Sequence, residues 1–155
     1  MTARSAGILL FRQAAAGPEV LLVHPGGPFW ARRDLGAWSI PKGEHDEDET
    51  AEQAARREFA EETGQKLVGE LVPLGSIRQK AGKLVEAFAV EGVFDVGSLR
   101  SATFEMEWPP RSGRRQAFPE VDRAAWFPLA EAAERMIPGQ IPFLDRLAAY
   151  LVTRL

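Results

Sequence analysis

At 155 residues, with 45% hydrophobic and 26% charged side chains, the chain has the size and balance of one globular domain with a sizeable core, leaving little room for a second. The absence of cysteine excludes disulfides and thiolate metal sites and suits a reducing cytosol. The formal net charge of −3 is unevenly spread, since Glu44 to Glu62 holds nine acids against two bases and the remainder is mildly basic. Such an acidic segment repels polyanions unless cations sit in it, which favours a metal site over a nucleic-acid surface. The apolar run Ala6 to Phe11, closed by Arg12, is too short for a signal-peptide core or a membrane span. A soluble, cytoplasmic protein without a membrane partner is expected.

Ser5 to Arg12 and Glu19 to His24 are short runs rich in Leu, Ile and Val and read as two strands. His24-Pro25-Gly26-Gly27-Pro28 opens a loop that runs to Gly36 and carries Phe29, Trp30, Arg32 and Arg33. Two readings of those aromatics stand open: with the arginines they grip a base and a phosphate, or they cap the core beneath the loop. Trp38 to Ile40 resumes a short strand, ended by Pro41 and Gly43. Thr50 to Thr63 has the composition of a helix, with no interior Gly or Pro and with Gly64 where a left-handed cap belongs. Beyond it, Leu67 to Leu74 and Lys83 to Phe94 read as strands around a turn at Ala81-Gly82, and Arg123 to Phe127 as another. Helices follow at Leu129 to Met136 and Pro142 to Arg154, the second with an apolar stripe at Phe143, Leu147 and Leu151. Ser98 to Pro119, with Trp108-Pro109-Pro110 and Arg111, Arg114 and Arg115, is expected to be irregular.

The chemistry concentrates on the Thr50 to Thr63 helix. At about 100° per residue, Glu58 and Glu62 fall about 20° to either side of Ala51, between Ala54 and Ala55, with Glu61 close by. That alanine stripe is the face a helix presses against a sheet, so carboxylates there crowd at its inner edge, where like charges oppose ionisation. A divalent cation resolves the conflict. Oxygen-only ligands indicate a hard ion, and Mg2+ fits better than an all-protein Ca2+ cage, with Mn2+ as an alternative.

The same stretch resembles a family signature. Gly43, Glu49, Arg57, Glu58, Glu61, Glu62 and Gly64 match the fixed positions of the Nudix box, Gly-x5-Glu-x7-Arg-Glu-U-x-Glu-Glu-x-Gly-U, where U is bulky and apolar. Phe59 serves as the first U, and Gln65 departs from the last. The early SAGILLF, the approach WSIPKGE and the late EVDRAAWF extend the resemblance more loosely over most of the chain. It implies an α/β/α sandwich with a mixed sheet. It implies metal ligation by Glu58, Glu61 and Glu62, with the Gly43 carbonyl a further candidate. Arg57 would orient a box glutamate, and Glu49 would hold the loop or assist the base. The implied reaction is in-line attack of water on one phosphorus of a diphosphate, with Mg2+ and basic side chains neutralising the leaving phosphate. A box glutamate or an acid from a later loop would take the proton. Glu105, Glu107 and Glu120 are candidates, and Glu120 is preferred because it opens the strand reaching Trp126. Lys42, Arg32, Arg33, Lys80 and Lys83 are candidate phosphate contacts.

Pro41-Lys42-Gly43 is similar to the approach to the box in branches acting on dinucleoside polyphosphates and diphosphoinositol polyphosphates. The tyrosine that the dinucleoside branch tends to carry beyond its box is missing, since Ala81, Gly82 and Lys83 stand there. The proline marking ADP-ribose enzymes is missing too. The expected partner is therefore a small-molecule nucleoside diphosphate-X or nucleoside polyphosphate, taken by a monomer or homodimer. Two other classes remain open: a Nudix-fold module that binds a nucleotide without cleaving it, and a metal-stabilised structural domain that docks through its acidic helix.

Overall fold

In the computed structural model, which describes residues 4–79 and 82–155, the strands are β1 (Arg4–Ala14), β2 (Gly17–Pro25), β3 (Lys42–Glu44), β4 (Val72–Arg78), β5 (Leu84–Glu91), β6 (Thr103–Glu107), β7 (Arg115–Pro119) and β8 (Val121–Pro128). The helices are α1 (Ala51–Thr63), α2 (Leu129–Arg135) and α3 (Pro142–Thr153). The buried run of β1 lies at the centre of a mixed sheet ordered β4-β5-β1-β2-β8. β1 is parallel to β5 and antiparallel to β2. On its β2 side, β1 has two successive partners. Phe11 to Ala14 pair with β2, whereas Ser5 to Gly7 pair with β3, so the chain around residues 39–44 is wedged where β1 and β2 diverge.

Alternation along the strands sorts two cores. Ala6, Ile8 and Leu10 of β1, Leu21 of β2 and Phe88 and Val90 of β5 pack with Ala54, Ala55 and Phe59 of α1. Leu9, Phe11, Val20, Leu22 and Ala87 face the other way, onto Ala132 of α2 and Phe143, Leu144 and Leu147 of α3. The result is the expected α/β/α sandwich. α1 forms where the sequence indicates, with Thr50 and Gln53 making a capping box and Gly64 closing it at φ 84°.

Several elements differ from the sequence expectation. The first strand after α1 is shifted to Val72–Arg78, and its register against β5 breaks between Pro73 and Ser76, where Gly75 takes a φ of 77°. Trp38 and Ser39 make only isolated bridges, and the strand forms one step later at β3, through Gly43. Residues 98–119 are not irregular: β6 and β7 pair as an antiparallel hairpin, Thr103 opposite Pro119 and Glu107 opposite Arg115. Lys80 and Ala81 lie outside the described residues.

The wedge is held by Gln140, buried in the turn before α3. Its Oε1 accepts from the Ile40 amide at 3.0 Å and its Nε2 donates to Ser39 Oγ at 2.9 Å. Gln140→Leu preserves volume but orphans that buried amide, and should lower stability by roughly 1–3 kcal/mol. A reduced denaturant midpoint at unchanged slope would show it.

Candidate active site

α1 enters the site with Glu58 and Glu62 on the side packed toward β3. The approach is very close, since a Cβ placed on Gly43 would fall within the Glu58 carboxyl group. Any side chain at position 43 would displace the Glu58 carboxyl group, and the Lys42 amide beside it donates to Glu62 Oε1 at 3.3 Å.

Arg57 stands behind this contact and gathers acids around it. Its Nε and Nη2 donate to both oxygens of Glu49 at 2.7 and 2.9 Å, and Nη2 also donates to the Glu44 carbonyl at 2.9 Å. Nη1 reaches Glu58 Oε1 at 2.9 Å and Glu61 Oε1 at 3.2 Å. Glu49 in turn accepts from the Asp46 amide at 2.9 Å, tying the loop before α1. The Arg57 fork holds the Glu49 carboxyl down at about 2, with the Asp46 amide helping.

Glu120 is brought in by a line of backbone hydrogen bonds. The Ala102 amide donates to the Glu61 carbonyl at 2.7 Å, the Glu120 amide to Ala102 at 2.8 Å, and the Gly26 amide to Glu120 at 3.0 Å. The end of α1, the entry to β6, the start of β8 and the loop after β2 thus converge. Glu120, Glu58, Glu61, Glu62, Gly43 and Lys42 line one acidic cavity. Glu105 and Glu107, the alternative acids, lie on β6 and are not among its lining residues.

A second, mainly apolar cavity adjoins the first and shares Lys42, Glu62 and Glu120 with it. Trp30, one of the aromatics offered above as a grip for a base, is among its walls, together with Ile40, Val121 and Ile137, which composition does not mark as site residues. Neither loop aromatic caps the core: Phe29 is 64% exposed and meets Trp108 of the hairpin edge-on at 5.6 Å, while Trp30 faces the cavity. Arg33 places its guanidinium 5.6 Å from the Trp30 ring. Arg32 is exposed on the same loop and lines neither cavity. Lys83 sits at the rim, with Nζ 3.7 Å from Glu44. Lys80 lies outside the described residues.

A model of the NUDIX domain matches residues 1–147. The chain belongs to that family. A stretch of 50 residues is 52% identical to an RNA pyrophosphohydrolase of Caulobacter vibrioides, covering 29% of each chain. The match thus spans less than a third of that relative's length. Among solved structures, a C. elegans Ap4A hydrolase binary complex superposes with a TM-score of 0.68 at 22% identity, over 96% of this chain and 98% of that one. The NUDIX domain of Shewanella oneidensis NrtR, complexed with ADP ribose, gives 0.69 at 19% identity, over 97% and 89%. These likenesses establish a shared fold.

Electrostatics in this NUDIX domain separate the box glutamates. Glu62 is pushed up to about 8, first by burial and then by Glu58, with Lys42 opposing. Glu58 is also raised by burial, against the pull of Arg57. Lys42 is lowered by burial and by Lys83. Among the described residues no three acidic or histidine side chains are gathered as a preformed ion cage. Mg2+ needs no such cage, since it binds through one or two carboxylates and keeps several waters. The two half-buried carboxylates, which offer oxygen ligands alone and resist ionisation, fit such an ion.

Glu62 also makes the metal-free protein sensitive to pH. An unfolded glutamate ionises near 4.5, whereas in the fold Glu62 keeps its proton up to about 8. Its stabilising share is complete below about pH 4.5 and is lost as pH rises through 8. Glu62→Gln should flatten this slope and raise metal-free stability at pH 8 by roughly 1–3 kcal/mol, measured by melting with chelator present. Gly43→Ala should retain the fold, because the Glu58 carboxyl can swing aside, yet weaken Mn2+ binding at least about tenfold in a titration.

Proposed function

We propose that this NUDIX domain is an Mg2+-dependent pyrophosphohydrolase that cleaves a diphosphate linkage in a nucleoside diphosphate-X or nucleoside polyphosphate. The observation that carries the reading is the side-by-side placement of an acidic and an apolar cavity sharing Lys42, Glu62 and Glu120. A nucleoside end fits the apolar cavity beside Trp30, which leaves the adjoining phosphates over the shared residues. Relatives named for Ap4A hydrolysis and RNA pyrophosphohydrolysis, and one holding ADP ribose, support a nucleotide-type substrate.

In this reading Glu58, Glu61 and Glu62 hold the ion, with the Gly43 carbonyl as a further ligand. Bound there, Mg2+ would neutralise phosphate charge and assist ionisation of the attacking water. Arg57 keeps Glu58 and Glu61 oriented while Glu49 fixes Arg57 and the loop. Glu120, across the cavity, receives the water's proton. Lys42 contacts a phosphate oxygen, and Arg32, Arg33 and Lys83 add positive charge at the rims.

The test is a nucleotide panel with Mg2+ or Mn2+, run in 18O-labelled water with product identification. One label should enter a phosphate of one product, and label confined to a sugar carbon would exclude attack at phosphorus. Glu62→Gln should cost at least roughly 100-fold in turnover while the protein remains folded. Tight nucleotide binding without turnover by the native protein would instead make it a binding module.

A further inference from the structure

Among its described lining residues, the apolar cavity has one polar side chain besides the Lys42, Glu62 and Glu120 that it shares with the acidic cavity. It belongs to Ser39, which is half-buried. The backbone there is fully engaged, since the Ser39 amide donates to the Val23 carbonyl at 3.0 Å and the Val23 amide donates to the Ser39 carbonyl at 2.8 Å. The hydroxyl is engaged as well, in a sense that a buried neighbour decides.

The Ile40 amide can only donate, so the Gln140 atom 3.0 Å from it is the side-chain carbonyl oxygen. This orients the amide group of Gln140, which is 0% exposed, and turns its Nε2 to Ser39 Oγ at 2.9 Å. Nε2 has only protons to give, so the hydroxyl accepts from it. The hydroxyl's own proton goes to the Ile40 carbonyl at 2.7 Å. With one proton and two lone pairs in all, Ser39 Oγ is left with a single lone pair and can meet a ligand only as an acceptor.

The other walls of the cavity do not tell one base from another. Trp30 offers its ring to the face that every base has, and Val23, Ile40, Val121 and Ile137 offer apolar contact alone. At Ser39 the choice is sharper, because an amino group there donates to the free lone pair, whereas an oxo group sets lone pair against lone pair. We propose that Ser39 is a specificity-determining residue: its hydroxyl, oriented by Gln140, accepts a hydrogen bond from the exocyclic amino group of the substrate's base, so that the cavity favours amino-bearing bases such as adenine over bases without that donor. The proposal rests on the apolar cavity taking the nucleoside, as above.

The test compares adenosine 5′-monophosphate with purine riboside 5′-monophosphate, which lacks the amino group, and with 2′-deoxyadenosine 5′-monophosphate, which lacks a ribose hydroxyl able to donate in its place. Dissociation constants are read by chemical-shift titration with Mg2+ present, for the native protein, Ser39→Ala and Ser39→Thr. The native protein should hold adenosine monophosphate about fivefold more tightly than the purine riboside, and the deoxy ligand within about twofold of adenosine monophosphate. Ser39→Ala should bring adenosine monophosphate down to the purine riboside level, whereas Ser39→Thr, which keeps the hydroxyl, should keep the ratio even where its methyl group weakens all the ligands alike. Ser39→Ala also leaves Gln140 Nε2 without its acceptor, so if that variant does not fold, the ratios in the native protein and in Ser39→Thr decide. Equal binding of adenosine and purine riboside monophosphates, a ratio that survives Ser39→Ala, or a loss confined to the deoxy ligand overturns the proposal. The titrations need no turnover, so a protein that shows the expected ratios and cleaves no nucleotide defeats the functional reading alone. One that cleaves a diphosphate yet binds none of these ligands defeats this proposal alone.

Discussion

The partial burial of Glu58 and Glu62 at the seam between α1 and β3 is the constraint around which the site is arranged. Ala54, Ala55 and Phe59 hold α1 against the sheet, and the helical repeat forces the two carboxylates onto that same side. The helix cannot turn them to solvent without exposing Phe59. The sheet accommodates them instead, by presenting glycine at position 43 and by letting β3 displace β2 from the first half of β1. The cost of burying like charges is met within the fold only in part, by the Lys42 amide and the Arg57 guanidinium.

Arg57 explains why the carboxylates of Glu49 and Glu62, on either side of it in the chain, take opposite characters. Glu49 receives both prongs of the guanidinium and is held firmly ionised, so it serves as scaffold. The guanidinium of Arg57 bonds Glu49, Glu58 and Glu61, whereas Glu62 is more deeply placed and faces Glu58, so its charge is resisted. Environment divides the labour, as it does whenever neighbouring acids are pushed apart in pKa. Lys42 responds in the complementary sense, since its burial disfavours the ammonium that the nearby glutamates favour.

The parts of this arrangement that depend on local periodicity were legible in the sequence. The α1 span, its glycine cap and the inward angle of Glu58 and Glu62 follow from residue spacing alone. The acidic loop and its arginine could be grouped through the box. What escaped depends on contacts distant in sequence. The β6–β7 hairpin is hidden because most of its residues are exposed, so only Phe104, Met106 and Phe118 mark a covered face, and prolines and arginines crowd its turn. Gly43 reads as a breaker, yet here it pairs with Ala6 of β1, and its missing side chain leaves room for the Glu58 carboxyl. His24 reads as the polar end of an apolar strand; its partners are the Arg33 carbonyl, invisible to composition, and Asp122, ninety-eight positions away.

The way the chain assembles the acidic cavity bears on how an anionic substrate could enter it. Glu58, Glu61, Glu62 and Glu120 line it together with Glu44, and Lys42 is the cation among its described lining residues. A diphosphate brought to Lys42 would therefore meet several carboxylates at close range, where repulsion in a partly buried site exceeds what one ammonium returns. The positive side chains Arg33 and Lys83 lie at the rims and are engaged with Trp30 and Glu44. On the proposed reading, divalent cation is then needed to admit the phosphates as well as to promote their cleavage. Substrate affinity and turnover should share one metal dependence, because the carboxylates that ligate the ion are the same groups that would otherwise exclude the substrate.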